Sequence, residues 1–217
     1  MFTRAEIKAQ AKAQLKGKVG MFFLCLLIVY AITFALCFIP IIGVIGVYIV
    51  LPPLMLGLIM VCLNVTYGDN VEIGTLFKGF NYMGKAIALF LMVMFFTMLW
   101  SLLFVIPGII KAYSYSMAFY ILAENPEMSA REALNESKEI TKGHKLDLFV
   151  LELSFILWGL LAAVTFGIAY VYVLPYMQLT YVNFYHNIKR QPAQTEAVYE
   201  EPAYDAAYVE TVEDVVE

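Results

Sequence analysis

Apolar residues in this chain come in long unbroken runs. No Asp, Glu, Lys or Arg occurs from Val19 to Gly68, from Ala86 to Ile110, or from Leu153 to Ile188, which are runs of 50, 25 and 36 residues. A bilayer's hydrocarbon core is about 30 Å thick, so a helix rising about 1.5 Å per residue needs about 20 apolar residues to cross it. The first and third runs are each long enough for two crossings. Turn signals divide them at FIPIIGVIG (Pro40, Gly43, Gly46) and at TFGIA (Gly167). The middle run ends at Ile106-Pro107-Gly108, and PGIIKAYSYSMAFYILAENP follows. The pattern predicts an all-α integral membrane protein with six transmembrane helices, at about 20–39, 45–66, 84–104, 108–123, 145–164 and 168–188. Pro52, Pro53 and Pro175 fall inside these spans. In lipid, neighbouring groups re-satisfy the carbonyls that proline frees, so kinks are expected there rather than ends.

The six helices read as three repeated hairpins. Lys-Gly recurs as Lys16-Gly17, Lys78-Gly79 and Lys142-Gly143, just before each hairpin and reading as a bend. A methionine follows in each second helix (Met55, Met117, Met177), and an asparagine closes each hairpin (Asn64, Asn125, Asn187). Short amphipathic segments precede the bends. Thr3-x-x-Glu6 and Ser129-x-x-Glu132 are capping boxes, with Phe2 and Ile7 placed for a hydrophobic staple, and Asp69 with Glu72 is a weaker version. These segments suit either the membrane surface or docking on the bundle.

Composition supports the membrane reading, since 62% of residues are hydrophobic and only 15% charged. A soluble domain has about a quarter charged. Thirteen of the 14 Lys and Arg fall before the first span, between the second and third, between the fourth and fifth, or after the sixth. Basic loops stay inside, so both termini are expected to be cytoplasmic. The tail 191–217 has eight acidic residues and no basic ones, and it is expected to be disordered.

Lys111 is the basic residue on the other side, one turn into the fourth predicted span. It either anchors that helix to outer phosphates or faces inward to hold an anionic group. Ser114 and Tyr115 follow it on a small, polar stripe that suits a helix interface. Glu152 and Gln178 are further polar residues at predicted membrane depth, where such groups face the bundle. Cys25, Cys37 and Cys62 all lie in apolar segments and are expected to be buried. No nucleophile–base pair, metal-ligand spacing or cofactor motif is visible, so no catalytic, metal or cofactor residue is assigned. The expected partners are membrane lipids, with a peptide or another membrane protein as further options, and no nucleic acid.

Three stretches carry a resemblance: PGIIKAYSYSMAFYILAENP, SAREALNESKEITKGHKLDLFVLELSFILWGLL and TFGIAYVYVLPYMQLTYVNFYHNI. They resemble the bacterial integral membrane family called domain of unknown function 975, over about residues 2–189. The resemblance implies a multi-pass membrane protein of the cell membrane and brings no activity and no catalytic residues. The function expected is that of a non-enzymatic accessory protein binding lipid, peptide or another membrane protein. The alternative is a small secondary transporter of an amphiphilic or anionic substrate.

Overall fold

The computed structural model describes residues 3–39, 42–103 and 105–190. The acidic tail, the Phe2 half of the staple and Pro40 lie outside the described residues. The described residues are helical and contain no strand. In chain order the helices are α1 (Arg4–Leu15), α2 (Val19–Cys37), α3 (Ile42–Thr66), α4 (Ile73–Lys78), α5 (Met83–Leu103), α6 (Val105–Tyr115), α7 (Ala118–Glu124), α8 (Ala130–Ile140), α9 (Lys145–Val164) and α10 (Tyr170–Lys189). A 3₁₀ turn, Gly79–Tyr82, joins α4 to α5.

Both expected capping boxes form. The Glu6 amide donates to Thr3 Oγ1 at 3.3 Å, and the Thr3 amide donates to the Glu6 carboxylate at 2.6 Å. Ser129 and Glu132 repeat this geometry at 3.3 and 2.9 Å. The weaker Asp69–Glu72 version does not form, because Glu72 itself is the N-cap of α4 and makes no side-chain cap bond. The apolar stripes of α1 (Ile7, Ala11, Leu15) and α8 (Ala130, Ala133, Leu134) are buried against protein. Both helices are therefore docked on the bundle: α1 on α10, and α8 on α5, α6 and α7.

Four stretches are long and apolar enough to cross a membrane: Val19–Cys37, Ile45–Thr66, Ile73–Leu102 and Lys145–Val164. The other two predicted crossings fall short for different reasons. The span expected at 108–123 is broken into α6 and α7 at Ser116–Met117. The last is one continuous helix, α10, but Gln178, Thr180, Asn183, His186, Asn187 and Lys189 make its second half polar. Both α3 and α10 run through their prolines.

Burial separates inner helices from outer ones. Half of the Ile45–Thr66 window is buried, against 22%, 11% and 22% for Val19–Cys37, Ile73–Leu102 and Lys145–Val164. In α7 and α10, Ala118, Ile121, Leu122, Leu179, Val182 and Tyr185 are also fully buried. The core is thus built from α3, α7 and α10. The outward faces of α2, α5 and α9 stay apolar and exposed, as at Phe34, Phe95, Leu102 and Leu157. Such uncovered apolar faces suit contact with lipid. Cys25 and Cys62 are buried as expected, but Cys37 at the end of α2 is exposed.

The Lys-Gly pairs differ in geometry. Gly17 and Gly143 take positive φ, 79° and 77°, and so make the left-handed turn that glycine permits. Gly79 has φ −58° and makes no such turn. Its missing side chain serves close packing: a Cβ there would lie 2.0 Å from the Pro53 carbonyl oxygen. Gly57 is its counterpart on α3, where a Cβ would lie 1.8 Å from the Leu76 carbonyl oxygen. Two glycines therefore let the α4 segment and its 3₁₀ turn press backbone to backbone against α3.

Candidate functional site

The break at Ser116–Met117 positions the most site-like feature of the fold. Both the Ser116 amide and the Ser116 hydroxyl donate to the Tyr113 carbonyl, at 3.4 and 2.8 Å, which closes the last turn of α6. The Tyr120 and Ile121 amides donate to the Met117 carbonyl and start α7. Beside the break, the Ser114 carbonyl accepts from the hydroxyls of Ser137 (2.8 Å) and Thr141 (3.4 Å) on the α8 side. Side chains from another element thus satisfy backbone at an interrupted helix.

A cavity of about 240 Å³ opens at this break, lined by Ser116, Met117, Tyr120, Leu148, Glu152 and Tyr181. Glu152 is half-buried, and the Tyr113 hydroxyl donates to its Oε2 at 2.5 Å. Among the described residues no Lys, Arg or His forms an ion pair with Glu152. The cavity therefore presents a carboxylate, two phenols and a serine hydroxyl beside an interrupted helix. That chemistry suits a hydrogen-bond-donating or cationic group.

The other residues singled out from the sequence do not line this cavity. The Lys111 ammonium sits 4.8 Å from the centroid of the Trp100 ring on α5. Ser114 and Tyr115 are each 3% exposed and belong to a helix interface. The Ser114 hydroxyl donates to the Ile110 carbonyl, and the Tyr115 ring lies near Phe96 and the Lys138 ammonium. Gln178 is half-buried on α10, and its side chain makes no hydrogen bond among the described residues. Lys16, Lys78 and Lys142 precede their glycines at exposed positions, and Lys142 pairs locally with Glu139 at 2.6 Å.

Sequence reasoning passed over Glu124, which ties the ends of all three inner helices together. Tyr67, just after α3, donates to Glu124 Oε1 at 3.0 Å. Tyr185 of α10 donates to Oε2 at 2.5 Å, and the Lys189 ammonium also binds Oε2. Burial opposes ionisation of Glu124, but the bonds from Lys189, Tyr185 and Tyr67 outweigh it and hold its pKa below the usual carboxylate value. The Glu-Asn-Pro ending of the fourth predicted span was the available signal: the repeat drew notice to Asn125 and not to its neighbour. A pocket of about 230 Å³ adjoins this cluster, with Gln10, Tyr67, His186 and Arg190 among its lining. Next to it Gln14 and Asn183 exchange reciprocal amide bonds at 3.2 and 2.8 Å, fixing α1 to α10.

α1 is also fixed at its start, where Arg4 pairs with Asp147 at 3.0 Å. Lys8 donates to Ser154 Oγ at 2.5 Å, and its ammonium lies 4.6 Å from the Phe155 centroid. Lys12 and Lys16 continue the same side of the helix, are exposed, and have no partner among the described residues.

Long apolar helices around a buried inner set, with a carboxylate cavity at an interrupted helix, define an all-helical protein of membrane character. A family model described as Protein of unknown function (DUF975) matches residues 1–114 and 102–192, and the chain belongs to that family. No curated protein and no solved structure matches it.

Proposed function

We propose that the chain is a six-span protein of the cell membrane, built as three hairpins with α1, α4 and α8 on the cytoplasmic face and both termini cytoplasmic. The positive-inside distribution of Lys and Arg supports this orientation. The repeat gains support from where the three methionines fall in the inner helices. Met117 lies at the break, while Met55 and Met177 each follow a helix-internal proline by two residues. Cysteine labelling from outside intact cells, on a background lacking the native cysteines, should reach positions near Gly43 and Gly167 and miss Lys138. Labelling at Lys138 would overturn the topology.

Within that frame the protein acts by binding rather than by catalysis, as an accessory membrane protein. The ligand that fits is an amphiphile whose polar group enters the Glu152 cavity. One observation carries this reading: a carboxylate without a cationic partner faces a cavity at an interrupted helix. An intramembrane carboxylate is costly to keep, which marks it as a place where a partner group is held. Protein purified in a neutral maltoside should be thermally stabilised by dodecylammonium and not by dodecanol. Glu152→Gln should remove the difference. Equal shifts in parent and variant would refute the site. The interrupted helix also favours a second reading, since transporters bind cargo at broken helices. Cargo flux in liposomes, lost with Glu152→Gln, would establish that reading in its place.

A further inference from the structure

A groove of about 620 Å³ runs beside α1 and shares no lining residue with the Glu152 cavity or the Glu124 cluster. Leu15, Val19 and Tyr172 form its apolar wall, Ala9 and Ala13 line it from α1, and Lys12 and Lys16 stand at its edge. The volume lies within the about 300–1,000 Å³ typical of small-molecule sites. Two features of its chemistry select the occupant. The wall is almost wholly apolar, so a hydrocarbon chain gains by lying on it. The edge carries two exposed ammonium groups one helical turn apart, neither with a partner among the described residues. The one acidic side chain of α1, Glu6, is committed to the Thr3 capping box. The neighbouring Lys8 is already held by Ser154 and Phe155, which leaves the positive charge concentrated at the groove mouth.

We propose that this groove is a specific site for one anionic phospholipid, with its phosphate between Lys12 and Lys16 and an acyl chain along Leu15, Val19 and Tyr172. Juxtamembrane lysines are drawn to anionic headgroups, and a groove adds a fixed position to that general attraction. The site rests on the proposed orientation, which puts α1 at the anionic leaflet, and is independent of what Glu152 holds. α1 is docked through Ile7, Ala11 and Leu15, and only Leu15 of these faces is shared with the groove. A lipid bound here would bridge α1 to α10 through Tyr172 and so bind only the docked arrangement.

The full chain, reconstituted in nanodiscs of equal phosphatidylglycerol and phosphatidylcholine, can be released and weighed by native mass spectrometry. The expected result is one retained phosphatidylglycerol per chain in preference to phosphatidylcholine. K12Q/K16Q should weaken that preference by about tenfold or more. K78Q/K145Q removes the same charge elsewhere and should leave it intact. Ala13→Trp keeps both lysines but fills the groove, and it should also displace the lipid. Soluble glycerol phosphate should not compete, because it lacks the chain. Thermal midpoints in pure phosphatidylcholine discs check that each variant is folded, and K12Q and K16Q singly carry the same test if the pair is not. The proposal is overturned if K12Q/K16Q retains the preference, if K78Q/K145Q loses it equally, or if Ala13→Trp leaves it unchanged.

Discussion

Tyr113 and Glu152 are joined across the bundle: the phenol on α6 donates to the carboxylate on α9 at 2.5 Å. The bond fastens an outer helix to the end of an interrupted one, beside a cavity. Hydrogen bonds to charged groups contribute about 1.5–3 kcal/mol, and a donor lost from a half-buried carboxylate leaves that group unsatisfied. Tyr113→Phe should therefore destabilise the protein by an amount in that range. Glu152→Gln keeps an acceptor for the phenol and should cost less. Thermal unfolding of both single variants and the double variant should show strong non-additivity. Additive losses would mean that the two residues do not act as a pair.

Glu124 predicts a pH dependence. Its pKa is lowered in the folded protein, so its stabilisation is fully present above the ordinary carboxylate value, about 4.3, and is lost as pH falls through the depressed value. The melting temperature should fall through that acid window. Glu124→Gln should melt lower than the parent at neutral pH and show a flatter acid limb. Parallel acid limbs for the two proteins would count against the cluster.

Close packing of α3 against α4 predicts a contrast between glycines. Gly57→Ala places a methyl group against the Leu76 carbonyl, and relief requires backbone movement, at about 1–3 kcal/mol. Gly159 lies inside α9 with nothing within 4 Å of a built Cβ. Gly159→Ala should be neutral or stabilising, by up to about 1 kcal/mol, because alanine is the better helix former. Equal effects at the two positions would contradict the close approach.

Lys111 predicts a small and specific loss. A cation over an aromatic ring contributes about 0.5–1 kcal/mol where exposed. Lys111→Arg should retain it and Lys111→Gln should lose it. Trp100→Leu combined with Lys111→Gln should show less than the summed loss. Loss of a co-purifying lipid with Lys111→Gln, from a protein that remains folded, would instead favour an anion-holding role.

Helix positions were legible in the sequence because runs without charge and turns rich in Gly and Pro are local signals. The capping boxes at Thr3 and Ser129 were legible for the same reason, each being complete within four residues. The break at Ser116–Met117 was not, since neither Pro nor Gly stands there. What accompanies it is a contact between the Ser114 carbonyl and Ser137, 23 residues on. The Lys78-Gly79 pair looked like its two counterparts, yet its glycine answers to a carbonyl on α3. Glu124 was hardest to read, because its partners lie 57, 61 and 65 residues away. The Glu152 cavity was half legible: an acid at predicted membrane depth stands out, while Tyr113, Tyr120 and Tyr181 come from three other helices and share no local pattern with it.

The Glu124 cluster also orders events during synthesis. When Glu124 is added to the growing chain, Tyr67 is already made, but Tyr185 and Lys189 are still 61 and 65 residues from being added. The N-terminal stripe Ile7, Ala11 and Leu15 waits for the same helix, because α1 docks on α10. The first and last helices thus close the structure together. A nascent chain halted before Tyr185 has neither the α10 surface that covers the α1 stripe nor the ammonium that pairs with Glu124, so both ends of the molecule stay open until the same final stretch is made.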